Sequence, residues 1–343
     1  MKTRSLVPVL AVAAVLLPVA ACGGQAESAP AVTAFAAAPG ATATVAPQEG
    51  QASYPAQVTN CGRTVRVERA PERIVSFFPS NTEMLLALGL KDRVAGHGWA
   101  GQSPPKPAYA ADYASVKVLA EGEVSRESLL AARPDFILAD GEYNFDGTKL
   151  PTIKELEELG VPVYVSAAFC PDTTGTATLA DTGRDLDALG VLLGIPARTA
   201  EAGAGVRKAL DDVRTRLAGR EPVRLAMVQL FDRQLYALAG GLYSDIVRTA
   251  GGENLLDGSV PEGKNFDTVS VETVAKADPH TIVFHYVDDK DRAAAQAWIR
   301  EHLGQTDAVR NGRLVATPAA DYSGLRSVDG TVTLARALHP AAF

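Results

Sequence analysis

Apolar positions along this chain alternate between two rhythms. Residues 73–78 (RIVSFF) form a short, nearly unbroken apolar run, which predicts a strand covered on both faces. The segment opened by Ser80-Asn-Thr-Glu83 then carries apolar residues at helical spacing as far as Gly89, and the spacing of Ser80 and Glu83 predicts a capping box. The exchange continues with strands over 93–97, 136–139 and 161–165 and helices over 125–132 and 152–159. Two long helical stretches follow, 176–193 and 197–217, split by Gly194-Ile-Pro196. The second has apolar residues at Ala202, Val206, Ala209, Leu210, Val213 and Leu217 and would reach about 30 Å. The pattern then restarts with strands over 223–230, 281–285 and 313–316 and helices over 243–249, 270–277, 293–302 and 331–338. The expected fold class is α/β: two three-layer lobes, 58–196 and 220–343, with parallel-type sheets flanked by helices, joined by a long helix over 197–219.

The restart is visible in the letters. VSRESLLAARPDFIL (124–138) and VSVETVAKADPHTIV (269–283) match at Val, Ser, Glu, Pro and Ile, each pair 145 residues apart. A whole lobe is written twice, and Glu127 and Glu272 each fall in the first turn of the repeated helix.

The first 60 residues hold only four charged side chains, Lys2, Arg4, Glu27 and Glu49. Lys2 and Arg4 precede a sixteen-residue apolar run, 6–21, which ends in Val19-Ala20-Ala21-Cys22 and has the layout of an export signal over 1–21. It reads either as a plain secretory peptide or as a lipobox. The lipobox is favoured because a cysteine follows two alanines directly, which makes Cys22 the expected lipid-bearing residue. Residues 22–57, rich in Ala, Pro, Thr, Gly and Ser, read as a disordered tether.

Setting Cys22 aside leaves Cys61 and Cys170, which in an exported chain are expected to form a disulfide, against the alternative of two buried free thiols. Without Lys2 and Arg4 the chain has 31 basic and 40 acidic side chains and no basic run, which argues against a nucleic-acid partner. GxSxG, HExxH, P-loop and Gly-rich dinucleotide turns are absent, so no catalytic residue is expected; an exported α/β enzyme stays as an alternative.

Ligands of open α/β sheets sit beyond the carboxyl ends of the strands. The loops there contribute Phe78, Tyr143, Tyr236 and Tyr286, an aromatic set suited to a large or chelated ligand. Of five histidines only His97 and His285 fall in such loops, too few for a naked-metal site, so no metal site and no intrinsic cofactor are expected; a zinc or manganese receptor is the other alternative.

Residues 73–90 (RIVSFFPSNTEMLLALGL), with both V-S-x-E units, resemble the substrate-binding lipoproteins of ABC importers for iron–siderophores, haem and cobalamin, over about 58–340. The resemblance implies a rigid connecting helix, a shallow cleft between the lobes and delivery of a metal chelate to a membrane permease by a lipid-anchored monomer outside the cell. It implies that Glu127 and Glu272 dock onto the permease, although a carboxylate in the first turn also stabilises a helix by about 0.3–1 kcal/mol. It puts Trp99 and Phe266 where cobalamin-binding relatives have aromatics, with Glu121 facing Phe266, and Asp321, Tyr322 and Arg326 near ligand contacts. The simpler alternatives are lobe packing for Phe266 and a surface pair with Asp329 for Arg326.

Overall fold

The computed structural model describes residues 53–343, so the expected signal over 1–21, the lipid-bearing Cys22 and nearly all of the tether lie outside the described residues. An antiparallel hairpin, β1 (Ala56–Asn60) and β2 (Arg63–Val67), opens the body. It begins two residues inside the stretch expected to be tether. Cys61 occupies its turn at φ 48°.

Four parallel strands form the first sheet, in the order β4-β3-β5-β6: β3 (Ile74–Phe77), β4 (Val94–Gly98), β5 (Phe136–Ala139) and β6 (Val163–Val165). The second sheet is mixed. Its parallel part is β7 (Val223–Phe231), β9 (Gly252–Asn254), β11 (Thr281–Tyr286) and β12 (Leu314–Pro318). To this β8 (Gln234–Leu238) and β10 (Phe266–Thr268) add antiparallel pairings, so a wholly parallel sheet is not what forms here. The cause is a tight hairpin: Asp232 and Arg233 both take positive φ and fold β8 back onto β7.

The strands read as unbroken apolar runs because both faces of each sheet are covered. Ile74, Phe136, Leu138 and Tyr164 face one core, while Val75, Phe77, Ile137 and Val163 face another. In the second sheet Leu225, Met227 and Val283 join the first of these cores, while Ala226, Val228, Ile282 and Phe284 turn to a third. One core is thus continuous from lobe to lobe.

Helices Ala180–Leu193, Pro196–Leu217 and Gly324–Leu338 fill the space between the sheets. The connecting helix buries Thr199, Gly203, Val206, Leu210 and Val213, a stripe at intervals of three and four. Its entry packs tightly against the preceding helix. A Cβ on Gly190 would stand 2.3 Å from Thr199 Oγ1, so only glycine lets the two backbones approach this closely. A core shared across the joint, together with a helix of about 33 Å, leaves little freedom for the lobes to swing.

Candidate functional site

The carboxyl ends of β3, β5, β6 and β12 converge on one cavity of about 520 Å³, lined from both lobes. The first lobe provides Phe78 after β3, Asp140 to Tyr143 after β5, and Phe169, Pro171 and Thr174 after β6. The second provides Tyr243, Asn265, Phe266, Ala319, Tyr322 and Ser323. Six of these side chains are aromatic. A groove of about 390 Å³ elsewhere lies at the amino ends of β3, β5 and β6, where its charged residues pair with one another (Arg66 with Glu68, Arg69 with Asp135). The site is therefore the interlobe cavity, where strand ends, aromatic rings and a buried carboxyl coincide.

Local chain geometry sets each wall. Phe78 takes φ 76° because its amide donates to Gly98 O at 3.1 Å while Pro79 starts the next helix. That strained turn points its ring at the cleft. After β5, the Tyr143 hydroxyl donates to Asp140 Oδ2, and Asn144 Nδ2 donates to Asp140 Oδ1 at 3.3 Å. Trp99 Nε1 donates to Asn144 Oδ1 at 2.8 Å and completes the chain. Burial pushes the Asp140 carboxyl up from its ordinary range, opposed by these hydrogen bonds, and pushes the Tyr143 hydroxyl up as well. On the far wall the Tyr322 ring stacks on His285 at 4.1 Å, and its hydroxyl donates to Thr317 Oγ1 at 3.0 Å. Burial pulls His285 down to about 3, which keeps the ring neutral.

A disulfide joins Cys61 to Cys170 and fastens the hairpin turn to the loop bearing Phe169 and Pro171.

These features decide the identity of the fold. The amino-acid sequence matches the periplasmic binding protein family over residues 74–320. The chain belongs to that family. As a periplasmic binding protein it is a binding protein, not an enzyme. It is similar to the vitamin B12-binding protein of Yersinia pestis, 30% identical over 220 residues, 63% of this chain and 70% of that one. A periplasmic binding protein from Veillonella parvula is 25% identical with a TM-score of 0.73, covering 83% of this chain and 97% of the other. The periplasmic vitamin B12 binding protein of Vibrio cholerae is 26% identical with a TM-score of 0.60, over 79% and 98%.

Among the residues expected to contact ligand in this periplasmic binding protein, Phe78, Tyr143, Phe266 and Tyr322 line the cavity. Phe266 is 53% exposed, so it is not simply lobe packing. The other six lie elsewhere. Trp99 borders a pocket of about 70 Å³ that meets the main cavity at Tyr143. Glu121 is exposed beside Gly101 and does not face Phe266 at the cavity wall. Tyr236 packs against the Phe266 ring, with centroids 6.0 Å apart, and Tyr286 lies under the Arg292 guanidinium at 5.7 Å.

Asp321 and Arg326 are spent on each other. Arg326 Nε donates to Asp321 Oδ1 at 2.8 Å, and Arg326 Nη1 donates to Glu83 Oε1 at 3.0 Å. Two expectations fall with this. Arg326 is buried and has no surface pair with Asp329, which binds Lys106 instead. Glu83 belongs to no capping box, because the helix Pro79–Ala87 starts at Pro79 with Phe78 as its N-cap residue. Ser80 turns to Ser323, and Glu83 accepts from the Lys106 amide at 3.0 Å and from Arg326.

Single-residue reading missed Asp140, Tyr243 and Asn265. Their loops ended strands or preceded helices, but no spacing marked them. Glu127 and Glu272 are both exposed, each in the first turn of a helix capped by a serine: Ser125 Oγ accepts from Ser128 N, and Ser270 Oγ from Thr273 N, both at 3.1 Å. Among the described residues no group of three His, Cys, Asp or Glu is placed to hold a metal ion, and no helix is long and apolar enough to cross a membrane.

Proposed function

We propose that this chain is the ligand receptor of an ABC importer. It is exported and held at the membrane by lipid on Cys22. It takes up a bulky metal chelate of corrinoid or ferric-siderophore type between its lobes and delivers it to a membrane permease through Glu127 and Glu272. The observation that carries this reading is the interlobe cavity. A space of about 520 Å³ with six aromatic rings accommodates a compact chelate, or one face of a larger macrocycle, and offers apolar area that a small polar solute could not use. The names of the Yersinia and Vibrio relatives support a corrinoid-type ligand. The matched, exposed positions of the two glutamates support a pair of contacts to a two-sided partner.

Native mass spectrometry of the protein purified from its own host, followed by thermal denaturation with candidate chelates, tests this. The expected result is a bound mass that matches a metal chelate, with a midpoint that rises with its concentration. Absence of any such ligand, with no chelate raising the midpoint, would overturn it.

A further inference from the structure

The cavity wall is unevenly charged. It carries two acidic side chains, Asp140 and Glu142, and no Lys, Arg or His among the described residues. Cations close to it are already held by carboxylates, one of them by Glu142 of the wall itself. Arg63 is shared between Glu142 at 3.4 Å and Glu157 at 3.1 Å. Lys264 lies 3.6 Å from Asp267, and Arg326 is held between Asp321 and Glu83. Asp140 is 9% exposed and receives only the Tyr143 hydroxyl and the Asn144 amide as side-chain donors. Among the described residues no Lys or Arg pairs with it.

A second observation concerns hydrogen bonding. Asn265 lines the same cavity, is 4% exposed, and its Nδ2 has no hydrogen-bond partner. A buried amide donor without a partner is unfavourable, and a ligand acceptor at that point would satisfy it.

We propose that the cleft selects chelates that are neutral or positively charged overall and that present amide carbonyl oxygens at their edge, as amide-linked trihydroxamates and carboxamide-fringed corrinoids do. Anionic chelates, such as triscatecholates or a porphyrin bearing free propionates, meet two acidic side chains, one of them already holding Arg63, and no lining cation free to answer them. Close like charges in a site of this kind disfavour binding, and opposite ones favour it, by about tenfold for each 1.4 kcal/mol. This inference rests on reading the cleft as a chelate site.

Titration calorimetry of the purified protein tests it with five probes. These are a ferric trihydroxamate bearing a free ammonium group, a neutral cyclic ferric trihydroxamate, cyanocobalamin, a trianionic ferric triscatecholate and haem. At least one of the first three is expected to bind about tenfold or more tightly than both anionic probes. In Glu142→Gln that preference shrinks by about tenfold as the opposing charge is removed, and in Asp140→Asn it shrinks as the acidic group is lost. Glu142 stands at the rim, so its variant stays informative if Asp140→Asn fails to fold. Asn265→Ala weakens the preferred probe about tenfold without changing the preference over the anionic probes. A triscatecholate or haem that binds as tightly as the best of the first three overturns the charge rule and leaves the chelate reading standing. Binding of none of the five overturns both.

Discussion

Arg326 and Glu83 are 243 residues apart in the chain, and Arg326 Nη1 lies 3.0 Å from Glu83 Oε1 in a buried contact between the two lobes. Asp321 takes the other edge of the same guanidinium at 2.6 Å and 2.8 Å. One arginine therefore serves two buried carboxyls, and Lys106 with Asp329 forms a second link beside it. Replacing Arg326 with Met strands both acids without a partner. Urea unfolding should show a loss of about 3–5 kcal/mol, whereas Glu83→Gln, which keeps a hydrogen-bond acceptor, should lose less. A loss under about 1 kcal/mol for Arg326→Met would show that the ion pair does not hold the lobes.

Asp185 predicts a pH dependence. Its carboxyl is 2% exposed, accepts from Tyr164 Oη and Ala167 N at 2.8 Å each, and is pushed by burial from near 3.8 up to about 7. A carboxyl whose folded pKa lies above its unfolded value favours the folded state in acid. That contribution is complete below about pH 4 and is lost as the pH climbs to about 7. Asp185→Asn keeps an acceptor and cannot ionise. Relative to the wild type it should gain stability across this window, by up to about 4 kcal/mol at pH 8. Unfolding curves of both proteins from pH 4 to 8 check this, and a constant difference between them would exclude Asp185 as the titrating group.

The Cys61–Cys170 bridge closes a span of 109 residues, from the first hairpin to the cavity rim. Replacing both cysteines with serine should lower unfolding stability by about 2–5 kcal/mol, because the unfolded chain regains that freedom. Phe169 and Pro171 flank the bridge and line the cavity, so ligand affinity should also fall. Unchanged affinity in the double variant would mean that the rim is held by its own packing.

Glu127 and Glu272 separate transport from binding. Changing both to Arg should abolish uptake in vesicles carrying the permease while leaving ligand affinity within about twofold, since neither side chain lines the cavity and exposed charges act mainly on association with the partner they face. Parallel loss of affinity and uptake would place these residues in the cleft or in folding instead.

Much of this was legible in the chain because it depends on local pattern. Strand β5 falls on Phe136–Ala139, where the apolar run put it, and the helix Pro196–Leu217 follows its apolar stripe to within a residue. The 145-residue echo located the two matched helices from sequence alone. Phe78, Tyr143, Phe266 and Tyr322 reached the cavity because strand ends were the right place to look. What sequence could not determine is who meets whom across the joint. Ser80 and Glu83 have capping spacing, yet both are drawn off by partners in the other lobe, because a buried arginine needs a carboxylate more than a helix end needs a cap. Asp140 and Asn265 are ordinary loop residues until the lobes close over them, and only that enclosure makes one a buried acid without a cation and the other an unpartnered donor. The sequence by itself determined the parallel strands of each sheet's centre, the helices between them and the doubled plan, but not the β1–β2 hairpin or strands β8, β9 and β10. Tertiary structure decided which polar side chains are spent on holding the lobes and which remain for a ligand, because burial is a property of the assembled surfaces and not of any one segment.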